Sequence, residues 1–152
     1  MTHGPTDVVD LARDWIGTPY HHQGSCKGIG TDCLGLIRGL WREIYGAEPA
    51  VVPNYTSDWS EPSQSETLLD AAAQFLIRQD GNPVHVDAAQ LGQVLVFRMH
   101  ASSVAKHLGI VSQAGPHPHF IHAYSGHGVV ESPLSPPWAR RIAAQFRFPE
   151  RT

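Results

Sequence analysis

The chain has 152 residues, 41% of them apolar, with a formal charge of −3 and only 16% charged residues. That is material for one ordinary core in a single domain over 1–152, and it argues against a polybasic nucleic-acid binder and against a disordered, highly charged chain. No apolar run is long enough to span a membrane and no basic, apolar leader opens the chain, so neither membrane insertion nor a secretory route is expected.

In chain order, residues 6–16 (T-D-V-V-D-L-A-R-D-W-I) carry apolar residues at helical spacing, with Thr6 or Asp7 to cap the start and Gly17 to stop the helix. Residues 17–31 hold four glycines and a proline and are expected to form a loop. A second helix is predicted over 33–45, where Leu34, Ile37, Leu40, Trp41, Ile44 and Tyr45 make an apolar stripe. Asp32 is a natural N-cap and Gly46 a natural terminator. Residues 47–63 are expected to be a long proline-containing loop. Ser63-Gln64-Ser65-Glu66 fits a capping box for a third helix over about 64–79. After a further loop to Gly92 the character changes. Residues 93–98, 107–112, 119–124 and 128–131 are short, rich in β-branched and aromatic residues and separated by turn residues, so they are expected to be strands. Pro133, Pro136 and Pro137 interrupt the run, and residues 142–148 supply a last strand. Helices followed by strands predict an α+β fold with a C-terminal antiparallel sheet.

Two features of composition bear on chemistry: ten histidines, and two cysteines, too few for a disulfide scaffold. Cys33 stands at the start of the second predicted helix, behind the glycine-rich loop, where the helix dipole and free N–H groups favour a thiolate. A cysteine nucleophile needs a base, usually histidine, oriented by a third polar group. Candidates are His21 and His22 in the loop, His107 at the mouth of one strand and His122 inside the next; antiparallel pairing would set the last two side by side. His3, His85, His100, His117, His119 and His127 sit among Pro, Gly and polar residues and are expected to be solvated loop histidines. A zinc site built from His21, His22, Cys26 and Cys33 has the right ligand types but not the spacing of known patterns, so no metal and no cofactor are expected. No P-loop, G-x-G-x-x-G or G-x-S-x-G motif is present. Cys26 is expected to be a reduced spectator.

Together, G-T-P-Y at 17–20, Asp32-Cys33-Leu34-Gly35-Leu36, His107-Leu108-Gly109-Ile110 and Ile121-His122-Ala123-Tyr124 resemble, in order, the motifs of the NlpC-type cell-wall peptidases. These are papain-like cysteine peptidases that cut the peptide stems of peptidoglycan. The resemblance spans about residues 8–148 and implies a papain-like core in which Cys33 is the nucleophile, His107 its base and His122 the residue orienting that base. It also implies that Tyr20 helps bind the oxyanion and that Asp32 caps the helix or contacts a substrate amine. The implied partner is the peptidoglycan stem, cut between D-glutamate and the diamino acid. An amidase or acyltransferase on the same fold, or an inactive tail-assembly scaffold, is the alternative. Leu40–Tyr45, the loop with Trp59 and F-I-H-A-Y-S-G-H-G-V-V-E-S-P-L are similar to members encoded with phage tails and gene transfer agents. That likeness implies other tail proteins as partners, carriage in a particle and local wall cleavage during DNA delivery. Two positions depart from the pattern: Leu34 stands where many members have Ser, and Gly92-Gln93 where many have Gly-Asp. One physical tension accompanies the assignment: the charge of Asp32 opposes ionisation of Cys33, leaving the histidine pair to supply most of the activation.

Overall fold

The computed structural model describes residues 5–51, 66–80, 90–100 and 103–150. Its first helix, α1 (Pro5–Arg13), turns Val8, Val9 and Ala12 inward. It begins at Pro5, so Thr6 and Asp7 fall in its first turn rather than capping it, and the chain leaves the helix before the predicted end at 16. The glycine-rich segment is not simply a loop. It folds into a two-stranded antiparallel hairpin, β1 (Ser25–Cys26) and β2 (Gly30–Thr31), with Tyr20 bridged in parallel to Thr31.

The next helix, α2 (Cys33–Tyr45), has the predicted limits because its ends are chemically marked. The Asp32 carboxylate accepts the N–H of Gly35 at 2.7 Å, and Gly46, at φ +94°, returns its N–H to Arg42 O. Leu36, Ile37, Leu40 and Ile44 form its buried stripe.

The third helix departs from expectation. Here α3 is only Thr67–Phe75, and β3 (Ile77–Gln79) takes the rest of the predicted span. Of the proposed capping box, Ser63 to Ser65 lie outside the described residues. Glu66 stands at the N-cap without a side-chain cap bond; its carboxylate pairs with Arg98 and accepts the N–H of Ala105. Helical periodicity through 76–79 is overridden by pairing of β3 with the last strand, a tertiary gain that local propensity does not report.

The remaining strands are β4 (Val94–Arg98), β5 (Ala105–Gln113), β6 (His119–Tyr124), β7 (Gly128–Pro133) and β8 (Ile142–Arg147). They match the predicted set within a few residues. Between β7 and β8 the prolines do more than interrupt: Pro136 starts a one-turn helix, α4 (Pro136–Ala139), as proline at the first helical position allows. The six-stranded sheet is antiparallel throughout, in the order β3-β8-β4-β5-β6-β7. The fold is α+β, as predicted.

Alternation along the strands serves two faces. One carries Val94, Val96, Leu108, Ile110, Ile121, Ala123 and Phe146 against α1, α2 and α3. The other carries Leu95, Phe97, Val111, Phe120 and Ile142, covered by Leu134 and Trp138. Among the described residues no helix is long and apolar enough to cross a membrane.

Candidate active site

Cys33 is the first residue of α2, held there by its neighbour. Asp32 is almost wholly buried; one carboxylate oxygen caps Gly35, and the other accepts the N–H of Gln23 at 2.8 Å and lies 3.9 Å from His22 Nδ1. Two backbone bonds on one buried carboxylate tie the loop to the helix and set where the sulfur points. This is the capping role; a substrate contact by Asp32 would have to be made from beneath the surface, on the side of His22. His21 and His22 are both exposed.

The sulfur reaches the backbone of β5. Cys33 Sγ donates to Lys106 O at 3.7 Å, and the N–H groups of Leu108, Leu34 and Cys33 itself also act on it. Residues 106 and 108 flank His107, so the thiol lies against the backbone of the strand segment that carries the imidazole. The strand is irregular there: Phe97 pairs with His107 but Arg98 with Ala105, which makes Lys106 an extra residue in a β-bulge. Bulges re-aim the side chains beside them and recur next to active sites.

The histidine predictions turn on register. Ile110 pairs with Ile121; carried along the antiparallel ladder, this sets His107 opposite Tyr124 and diagonal to His122. His107 Nε2 and His122 Nδ1 are 2.8 Å apart, and the rings meet edge to face with centroids at 5.0 Å. His122 Nε2 lies 2.9 Å from Ser132 Oγ on β7. Both imidazoles are buried. Around them stand Phe97, Phe120, Tyr124 and Trp138, with Trp138 centroids 5.6 Å from His107 and 5.2 Å from His122. His127, exposed in the β6–β7 turn, stacks on Tyr124 at 5.2 Å.

Burial sets the electrostatics. It pushes the Cys33 thiol up to about 12, with the charge of Asp32 adding to the effect and the three backbone N–H groups opposing it. It pushes His107 down to about 3, helped by His122, and His122 down to about 4, helped by His127. At neutral pH the resting pair is therefore a thiol and a neutral imidazole, not an ion pair, and the thiol is parked on a carbonyl. Tyr20, half-buried, is raised to about 12 by burial and then by Cys33 and Asp32, so its hydroxyl is a proton donor within electrostatic reach of the sulfur.

A labelling experiment reads this directly. At pH 7 Cys33 should react with iodoacetamide more slowly than Cys26, which is exposed and serves as an internal standard. Asp32→Asn keeps a capping oxygen but removes the charge, lowers the thiol pKa and should narrow the gap. Peptide mass spectrometry over time gives both rates; a Cys33 faster than Cys26 would mean a preformed thiolate.

Acid provides a second check. The folded pKa values of His107 and His122 lie below the ordinary value near 6.5, so burying them neutral contributes stability that is fully present above pH 6.5 and is lost as pH falls through about 4 and 3. The lowered carboxylates, Glu48 and Glu131, add their losses only below about 4.5. Melting temperature should hold steady between pH 7 and 8 and begin to fall below about pH 6, and His122→Gln should flatten the slope between pH 6.5 and 5. A flat wild-type profile over that window would contradict the burial of neutral imidazoles.

The other expectations sort as follows. His3 and His85 lie outside the described residues. His100, His117 and His127 are exposed, whereas His119 opens β6 and is only half-exposed, so it is a strand residue rather than a loop one. Both cysteines are free, and among the described residues no group of three or more His, Cys, Asp or Glu could hold a metal ion. Trp59 is outside the described residues. Leu34 is partly buried against the main core and borders an open apolar groove of about 240 Å³ between α2 and α3, with Ile37, Trp41, Leu68, Phe75 and Leu108. Sequence reasoning missed Ser132, Trp138 and the carbonyl of Lys106. Each is placed by strand register, by a one-turn helix or by a bulge, none of which has a signal in local composition.

Residues 17–147, nearly the whole chain, match the sequence profile of the NlpC/P60 family. Two solved structures share the fold. One is the NlpC/p60 domain of the peptidoglycan hydrolase SagA, 22% identical, with a TM-score of 0.59 over 96% of this chain and 100% of that one. The other is a protein similar to a lipoprotein, of the NLP/P60 family, from Staphylococcus aureus subsp. aureus Mu50, 20% identical, with a TM-score of 0.56. The alignment covers 94% of this chain but only 41% of the staphylococcal one. At these identities the likeness carries the papain-like fold. No curated protein matches the chain.

Proposed function

The chain belongs to the NlpC/P60 family, and on that footing we propose that it is a cysteine peptidase that hydrolyses the peptide stems of peptidoglycan. The observation that carries the reading is that Cys33, at a helix N-terminus, rests its sulfur on the backbone of the bulge in β5, next to the residue, His107, that is hydrogen-bonded to a second histidine.

In this reading Cys33 Sγ attacks the carbonyl carbon of the scissile amide as its proton passes to His107 Nδ1. The negative charge on the carbonyl oxygen is met by the N–H of Cys33 and the hydroxyl of Tyr20. His107 then gives the proton to the departing amine as the C–N bond breaks, leaving a thioester. Water, deprotonated by His107, cleaves the thioester and returns the thiol. His122 holds His107 in the required orientation throughout. Asp32 keeps the sulfur at the mouth of the helix; a contact with a substrate amine is the second role that the family likeness implies for it.

The finer parts of the reading rest on sequence likeness. We place the cut between D-glutamate and the diamino acid. Phe120–Leu134, one of the stretches similar to tail-borne members, also supplies His122 and Ser132 to the site. This supports a role as a phage-tail or gene-transfer-agent component that opens the wall locally in the periplasm beside other tail proteins, without binding nucleic acid or entering the membrane.

Peptidoglycan and purified stem peptides incubated with wild type and with Cys33→Ala distinguish the outcomes. New amino termini on the diamino acid, from wild type alone, are expected. Whole stems released from glycan would identify an amidase, and indistinguishable digests would overturn the enzymatic reading in favour of a scaffold.

A further inference from the structure

The three polar side chains His107, His122 and Ser132 form a diagonal row across β5, β6 and β7. His122 pairs with Val130 and Phe120 with Ser132, so Ser132 is the diagonal neighbour of His122 on one side, as His107 is on the other. Ser132 is half-buried on the edge strand, while His122 is 1% exposed.

Proton counting along the row gives Ser132 a task. A neutral imidazole carries one N–H. Between His107 Nε2 and His122 Nδ1, 2.8 Å apart, there is room for one proton. If that proton belongs to His122, His107 keeps its own on Nδ1 and cannot take another from the thiol. If it belongs to His107, Nδ1 is a free base, and His122 must carry its proton on Nε2, aimed at Ser132 Oγ at 2.9 Å. In the resting protein a hydroxyl can serve either order. Once His107 has taken the thiol proton it holds N–H on both nitrogens, so His122 must accept at Nδ1 and Ser132 must accept at Oγ.

We propose that Ser132 is a positioning residue: as acceptor for the Nε2–H of His122 it completes the hydrogen-bond order that leaves His107 Nδ1 unprotonated, and it stabilises the state in which His107 holds the proton of Cys33. The inference rests on the peptidase reading above. Without the hydroxyl, the buried Nε2–H of His122 loses its acceptor in the protonated state, where its donation is obligatory. An unsatisfied buried donor of this kind translates into roughly a tenfold loss or more.

Three measurements test it. Ser132→Ala should lower kcat on stem peptides by about tenfold or more with KM within about twofold, because the side chain touches the base and not the substrate. Ser132→Thr, which restores the hydroxyl on a residue suited to a strand, should recover most of kcat. Nitrogen-15 spectra of the imidazoles should show both His107 and His122 protonated at Nε2 in the wild type, with a mixture of tautomers in Ser132→Ala. Wild-type His122 protonated at Nδ1, or Ser132→Ala with unchanged kcat, overturns the proposal. A wild type inactive on every stem would instead sink the peptidase reading, while the spectra would still decide the hydrogen-bond order.

Discussion

Changing Cys33 to alanine should lower turnover on peptidoglycan stems by roughly 10³-fold or more, and adding His107→Ala to it should lower turnover little further. Nucleophile and base act on one proton, so their losses are not additive: without sulfur there is nothing for His107 to deprotonate. The His107→Ala single variant should also fall far, because the thiol is held near 12 by burial and by Asp32 and does not ionise by itself at neutral pH. Melting temperatures of Cys33→Ala and wild type should agree closely, since the change removes a single sulfur atom and leaves the Asp32 cap of α2 in place. Turnover and melting temperature of the two single variants and the double variant form a complete cycle. Losses that add in the logarithm would separate the two residues into independent roles and contradict the mechanism.

The same electrostatics explain how an unactivated thiol can serve. A preformed thiolate–imidazolium pair would need two opposite charges at a site whose burial disfavours both. The resting arrangement instead donates the thiol to Lys106 O and leaves His107 neutral; in the proposed mechanism the proton leaves as the carbon–sulfur bond forms. Charge then develops on the substrate oxygen, beside the N-terminus of α2, where backbone donors meet it.

Much of this site is legible in the chain. Asp32, Cys33 and Gly46 mark the ends of α2 by local chemistry, so that helix is read to the residue. The pairing of His107 with His122 follows from alternation plus the assumption that neighbouring strands are antiparallel. What escaped has a common cause. A helical pattern through 76–79 conceals β3, because those residues are committed by pairing with β8, far along the sequence. The β1–β2 hairpin was hidden because glycines read as breakers whether they join strands or not. Ser132 lies just past the strand predicted over 128–131 and carries no signal of its own until the β6–β7 register sets it beside His122. Trp138 sits among prolines that suggest an interruption, yet Pro136 is what starts the turn that delivers the ring. Local chemistry reveals caps and periodicity; register, bulges and the partners of edge strands depend on distant segments.

Gly35→Ala should be the most damaging small substitution in the fold. Gly35 lies in the first turn of α2, where helix propensity alone favours alanine by about 1 kcal/mol. A Cβ there would stand 1.8 Å from Gly24 O and 2.6 Å from Thr31 Oγ1. The first of these is backbone and cannot rotate aside. The loop that carries it is fastened at several points: Gly24 N–H donates to His21 O, Asp32 N–H to Gly24 O, Ser25 Oγ to Gly35 O at 2.6 Å, and Gln23 N–H to Asp32. Relieving the clash means lifting this loop off the helix, at a cost of several kcal/mol that exceeds the propensity gain. The expected fall in melting temperature is roughly 10 °C. Because Tyr20 and the N-cap of Cys33 move with the same loop, turnover should also drop in the fraction that remains folded, measured well below the transition. A variant that melts at or above the wild-type temperature would show that the loop yields freely. It would then carry none of the positioning ascribed to Asp32.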